Sequence, residues 1–166
     1  GAQDAEHLIA EMRRHGHSAR LLGHDPRTGA ARISIAEADR TSRLSYRFRT
    51  EAVNLGVWGN KHIPRPYLRG SRTQREWLLK GLMDTDGHIS PRGQAVYTTV
   101  RPNLRDDVAE LVASLGFKAQ VTESRAMLAG VDHGPAWAVS FFPFDAPVFT
   151  VPRKLERQRP RVAKNA

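Results

Sequence analysis

An apolar run that stops abruptly on two carboxylates and a glycine, Leu78-Leu79-Lys80-Gly81-Leu82-Met83-Asp84-Thr85-Asp86-Gly87, constrains this chain more than any other stretch. Together with Trp77, its apolar residues at 78, 79, 82 and 83 fall on more than one side at helical spacing, which predicts a helix buried against two different partners. Gly81 costs such a helix about 1 kcal/mol relative to alanine, so it is expected to mark the close approach of a second helix. Asp84 and Asp86 stand at the C-terminal end, where the helix dipole disfavours negative charge by roughly 0.3–1 kcal/mol. A divalent cation over the helix tip would compensate both carboxylates, and so, more simply, would an Asp-x-Asp-Gly turn.

The balance of charge names a class of partner. Lysine plus arginine number 26 against 17 acidic residues, a net charge of +9 with a sequence pI near 10.8, which points to a phosphate-rich partner. Only five of the 26 basic residues are lysines, and arginine's planar fork suits bidentate contacts to phosphate and guanine. The absence of cysteine excludes disulfides, thiol nucleophiles and thiolate metal sites. No apolar run is long enough to span a bilayer and no basic-then-apolar leader opens the chain, so the expectation is a cytoplasmic, nucleoid-associated protein with no membrane partner.

Along the chain, Leu8, Ile9 and Met12 predict a surface helix over 4–15 that Gly16 ends, with His15 and His17 flanking a turn. Strands are expected over 17–22 and 30–36, joined by the turn Asp25-Pro26-Arg27-Thr28-Gly29. Leu44, Phe48, Ala52 and Leu55 predict a helix over 44–55, and Pro64 and Pro66 predict an extended, non-helical connector over 56–70. After Gly87, strands are expected over 88–90 and 95–100, a helix from Pro102 to Leu115, and strands over 117–124 and 137–142 across a longer loop. A basic tail, 151–166, holds at most a short helix over 153–158.

The two halves resemble each other. His15-Gly16-His17-Ser18-Ala19-Arg20-Leu21 aligns with Leu115-Gly116-Phe117-Lys118-Ala119-Gln120-Val121 at an offset of one hundred residues, and each copy later reaches a lysine, Lys61 or Lys154. The expected organisation is one domain over 1–166, with a first repeat at 1–70, a second at 71–150 and the basic tail beyond. The same offset puts the first copy's counterpart of the Leu79–Gly87 segment before Gly1, so that copy lacks its central helix.

Leu79 to Gly87 resembles the nine-residue signature of the LAGLIDADG homing endonucleases. The lead-in Lys61-His62-Ile63-Pro64 and Arg75 is similar to the intein-encoded (DOD-type) branch, as in the endonuclease domains of replicative DNA helicase inteins. The resemblance runs from about Leu55 to Gly116 and is weaker elsewhere. It implies an α+β pseudo-repeat of αββαββα type whose antiparallel sheets form a saddle on double-stranded DNA, and Mg²⁺- or Mn²⁺-dependent phosphodiester cleavage. On this likeness Asp86, the eighth signature position, is the metal ligand, Lys61 and Lys154 are active-site lysines, and Gly81, Asp84 and Gly87 are structural.

The same likeness assigns Arg32, Ser34, His88, Ser90, Tyr97, Thr99, Lys118, Gln120 and Thr122 to base reading. Their alternation with Ile33, Ile35, Ile89, Val96, Ala119 and Val121 would put polar side chains on one sheet face. Arg92, Arg101 and Arg125 are expected at phosphates. The remaining partners implied are the splicing part of the intein and its host protein. A second acidic helix tip is missing at the matching position, which leaves three readings: a piece of a larger intein nuclease region, which the asymmetric repeat favours; two copies each giving an Asp86; or a decayed nuclease that binds DNA or RNA without cutting.

Overall fold

Helix and strand signals in this chain are local and strong enough that most elements form where side-chain periodicity puts them. The computed structural model describes residues 2–37 and 47–158, in two compact units that divide between Trp58 and Gly59. Among the described residues no helix is long and apolar enough to cross a membrane.

The first unit opens with α1 (Ala2–Arg14), which Gly16 closes in the left-handed region at φ +83°. Strands β1 (His17–His24) and β2 (Ala31–Glu37) then pair antiparallel, with a register shift between Leu21 and Gly23. The Asp25 carboxylate organises the turn between them, accepting from the Arg27 and Thr28 amides at 2.9 Å each. Ala5 and Ile9 of α1 and Ala19 of β1 are buried. The next helix, α2 (Arg47–Asn54), buries Ala52, while Leu44, expected on the same apolar line, lies outside the described residues.

The second unit contains α3 (Arg65–Leu68), α4 (Arg72–Asp86), β3 (Gly87–Ile89), β4 (Ala95–Thr99), α5 (Pro102–Ser114), β5 (Gln120–Leu128), β6 (Val131–Phe141) and α6 (Pro152–Leu155). Its sheet is antiparallel in the order β3-β4-β6-β5. Ser71 starts α4 with a capping box: its hydroxyl accepts from the Gln74 amide and the Gln74 side chain accepts from the Ser71 amide. One core holds Leu79 and Met83 of α4, Val108, Leu111 and Val112 of α5, and Ala95, Tyr97, Val139 and Phe141 of the sheet. Each large apolar side chain buried there contributes roughly 1.5–3 kcal/mol. The Arg75 guanidinium donates to Gly70 O at 3.1 Å and Ser114 O at 2.8 Å, tying α4 to the end of α5.

The α+β class expected from the sequence is the class observed, and the repeat extends to the elements. Helix α5 follows α1 by one hundred residues at both ends, and Gly116, at φ +92°, closes it as Gly16 closes α1. Four expectations need correction. The connector 56–70 contains the helical turn α3, because Pro64 is its N-cap and Pro66 stands in its first turn, where a missing amide costs nothing. Residues 59–70 belong to the second unit, since Ile63 and Leu68 are buried in its core.

Strands β5 and β6 are longer than expected and meet at a two-residue turn, Ala129-Gly130, with both residues at positive φ (49° and 80°). Ala-Gly carries little of the sequence signal that Asn-Gly would. Finally, α4 buries one face rather than two: Trp77 is 49% exposed, and Gly81 and Thr85 are exposed as well. The tail enters the second unit through the buried Val151 and Lys154; residues 159–166 lie outside the described residues.

Candidate functional site

Helix α4 ends on Asp86 because its last turn is held from both directions. The buried Asp84 carboxylate accepts from the Thr150 amide (3.0 and 3.1 Å), the Val151 amide (3.1 Å) and the Thr150 hydroxyl, just ahead of α6. In return Lys154 of α6 donates its ammonium to Met83 O (3.0 Å), Asp84 O (2.7 Å) and Gly87 O (2.8 Å). A cation on the orphan carbonyls of a helix C-terminus is favourable both as hydrogen bonding and against the dipole. These two contacts leave Asp86, next along the helix, exposed at the tip.

Beside that tip lies an open pocket of about 270 Å³ lined by Lys61, Asp86, Tyr97, Thr98, Thr99, Val100, Arg101 and Leu104. Lys61 arrives on a loop fixed by Asp107 of α5, whose carboxylate accepts from the Ile63 amide at 2.8 Å. The sequence reading missed Asp107. Its partner lies 44 positions away, and no local pattern marks the pair. Arg101 is placed by its amide, which donates to Thr99 Oγ1 at 3.1 Å immediately before α5.

The structure thus brings Asp86, Lys61, Thr99 and Arg101 around one pocket and puts Lys154 elsewhere. Lys154 is 8% exposed, and its ammonium serves three backbone carbonyls. The expectation that its head group faces a substrate is corrected by this geometry, because a buried ammonium must spend its donors on buried acceptors.

Tyr97 and Thr99 also depart from expectation. Register pairs Gly87 with Tyr97 and His88 with Val96, so Tyr97 and Thr99 point to the core side of the sheet while Val96 shares the outer side with His88. Burying the large tyrosine ring gains more than burying valine. Tyr97 is 2% exposed. Burial, and then the nearby Asp86 charge, push its phenol from 10.0 up to about 12. The folded chain therefore holds this proton to higher pH than the unfolded chain, and stability is lost as pH rises from 10 toward 12. Urea midpoints in metal-free buffer are expected to fall more steeply over that interval for the parent chain than for Tyr97→Phe.

The outer sheet face carries rows of polar side chains interspersed with small apolar ones. His88, Val96, Ser140 and Gln120 lie across one row, Thr98, Ala138 and Thr122 across the next, and Ala136 and Ser124 beyond. None of these is charged. The basic residues stand at its margins, with Arg92 exposed in the β3–β4 turn and Lys118 exposed ahead of β5. Ser90 is turned into that hairpin, its hydroxyl accepting from the Gln94 amide. Arg125 is exposed, but its fork is occupied by Asp132 at 2.7–3.2 Å, which holds that carboxyl below its ordinary range. In the first unit Arg32 and Ser34 alternate on β2 opposite Gly23 and Arg20.

With the helix tip and sheet described, comparison with known proteins decides the assignment. Residues 73–131, from the start of α4 to the tip of the β5–β6 hairpin, match the profile of the LAGLIDADG-like domain. The chain carries a LAGLIDADG-like domain. It is also 38% identical over 124 residues, 75% of its length, to a replicative DNA helicase DnaB of Mycobacterium intracellulare, and spans 21% of that protein. In this LAGLIDADG-like domain the signature segment is the C-terminal part of α4, and the match includes Asp86, β3, β4, α5 and β5.

Proposed function

We propose that this chain is part of an intein-encoded homing endonuclease that binds double-stranded DNA and cleaves it at a specific site with Mg²⁺ or Mn²⁺. The observation that carries the reading is the juxtaposition of Asp86, Lys61 and Arg101 around one open pocket at the end of α4. Asp86 fits a hard cation. It is an exposed carboxylate at a helix C-terminus, and among the described residues no ion pair neutralises it. A bound divalent cation would activate water and neutralise charge on the attacking and leaving oxygens. Asp86 would hold it from the protein side. Lys61 would attract the phosphate, and Arg101 would orient it through a two-pronged contact.

Two further features support the reading. The face of α4 bearing Gly81 and Thr85 is exposed, and beyond the helix's own backbone no described atom stands within 4 Å of where a Gly81 Cβ would be, as a helix awaiting a partner requires. A second helix there would bring a second acidic tip. The uncharged outer sheet face, with His88, Gln120 and Thr122, suits base edges, while Arg92 and Lys118 at its margins suit phosphates. The relative's name, a replicative DNA helicase, supports a helicase as the host protein.

In the complete parent protein, Asp86→Asn is expected to reduce Mg²⁺-dependent cutting of supercoiled DNA carrying the uninterrupted host sequence by at least about 100-fold. Binding should be retained. A second reading, a module that binds DNA or RNA without cutting, is favoured by one observation: among the described residues no three His, Cys, Asp or Glu side chains cluster as a metal site. Tight, salt-sensitive binding by the complete parent protein with no metal-dependent nicking would select it.

A further inference from the structure

Tyr97 is placed in two environments at once. Its ring belongs to the core of the second unit, yet the residue lines the pocket beside Asp86 and Lys61. Among the described residues no hydrogen bond holds its hydroxyl, and no buried side-chain oxygen or nitrogen there is sealed away without a partner. The hydroxyl of a residue so buried therefore reaches open space, and the pocket is the open space that the residue lines. Phenylalanine would fill the same core volume. The oxygen is useful only to something that enters.

The neighbours define what enters. Lys61 and Arg101 bring two positive charges to the pocket, and the Thr99 hydroxyl already accepts from the Arg101 amide. A tetrahedral oxyanion between those cations needs a further donor on the side of Asp86, and a third basic side chain there would compete with a divalent cation for that carboxylate. A phenol donates a hydrogen bond without doing so. At neutral pH it is fully protonated and acts only as a donor to an anionic oxygen.

We propose that Tyr97 is a phosphate-binding residue of this site, its hydroxyl donating to a non-bridging oxygen of a phosphate held by Lys61 and Arg101. The inference rests on the nuclease reading for the identity of the phosphate as a DNA backbone group, while the oxyanion site itself follows from the pocket. The chain contains three tyrosines, Tyr46, Tyr67 and Tyr97, so a ¹³Cζ-tyrosine-labelled sample with Tyr97→Phe as the assignment control reports on this one directly.

Titrating inorganic phosphate in metal-free buffer is expected to move the Tyr97 resonance in a saturable way and leave the exposed Tyr67 in place. Lys61→Met should shift the midpoint by at least about tenfold, and phosphate affinity should fall by about tenfold in Tyr97→Phe, the loss of one hydrogen bond to a charged group. A Tyr97 resonance indifferent to phosphate, or Tyr97→Phe binding phosphate as the parent does, overturns the inference. In the complete parent protein the same substitution should lower kcat/KM on supercoiled DNA. Cleavage that proceeds undiminished in Tyr97→Phe sinks the inference and spares the nuclease reading; a phosphate-responsive Tyr97 in a protein that never cleaves does the reverse.

Discussion

Lys154→Met is expected to destabilise the second unit by about 3 kcal/mol, read as a shift of the urea midpoint followed by tryptophan fluorescence. Methionine keeps most of the buried stem and removes an ammonium that satisfies the carbonyls of Met83, Asp84 and Gly87. Hydrogen bonds to a charged donor are worth roughly 1.5–3 kcal/mol each. The sum is discounted because Met83 O also accepts the Gly87 amide. Arginine should not rescue, since its planar fork cannot converge three donors on carbonyls grouped around one point. Amide exchange in the last turn of α4 should quicken in step. A lysine whose head group served only chemistry would instead leave stability within about 0.5 kcal/mol while cleavage vanished.

That contrast marks where sequence reasoning reached its limit. Helical periodicity found α1, α4 and α5 because each buries a stripe spaced by the helix itself, and Gly16 and Gly116 announced their ends through the left-handed conformation a C-terminal stop requires. Asp86 and Lys61 were nameable from motif, and they line one pocket. Lys154 was equally nameable, but nothing in its own segment says whether an ammonium meets solvent or three carbonyls about seventy residues earlier. The strand β4 failed for a related reason. Ala-Val-Tyr-Thr-Thr alternates acceptably in either phase, and the phase is set by tertiary packing, which buries Ala95 and Tyr97 and leaves Val96 on the other face. Asp107 and the open face of α4 are likewise facts of tertiary packing.

The two glycines of the signature segment should respond to alanine with opposite sign. Gly87 has φ −90°, a conformation any residue adopts, so its requirement for glycine is one of space. An added Cβ would stand 2.7 Å from both Met83 Cα and Met83 O and 2.5 Å from Met83 Cε. The methionine tip cannot withdraw easily, because Met83 is fully buried, and the other two atoms belong to the helix backbone that Lys154 and Asp84 hold in place. Gly87→Ala is therefore expected to cost about 3 kcal/mol in urea unfolding, at the upper end of overpacking, and to displace the adjacent Asp86. Gly81 faces open space, and alanine there should stabilise the isolated chain by up to about 1 kcal/mol through helix propensity alone. In the complete parent protein the sign should reverse. If a second helix seats against Gly81, even one methyl group forces the two backbones apart, so Gly81→Ala should lower cleavage there while raising the stability of this chain alone. Undiminished cleavage by Gly81→Ala in the complete parent protein would mean that the face of α4 carrying Gly81 and Thr85 stays open in the working protein and that Asp86 acts without a second helix tip.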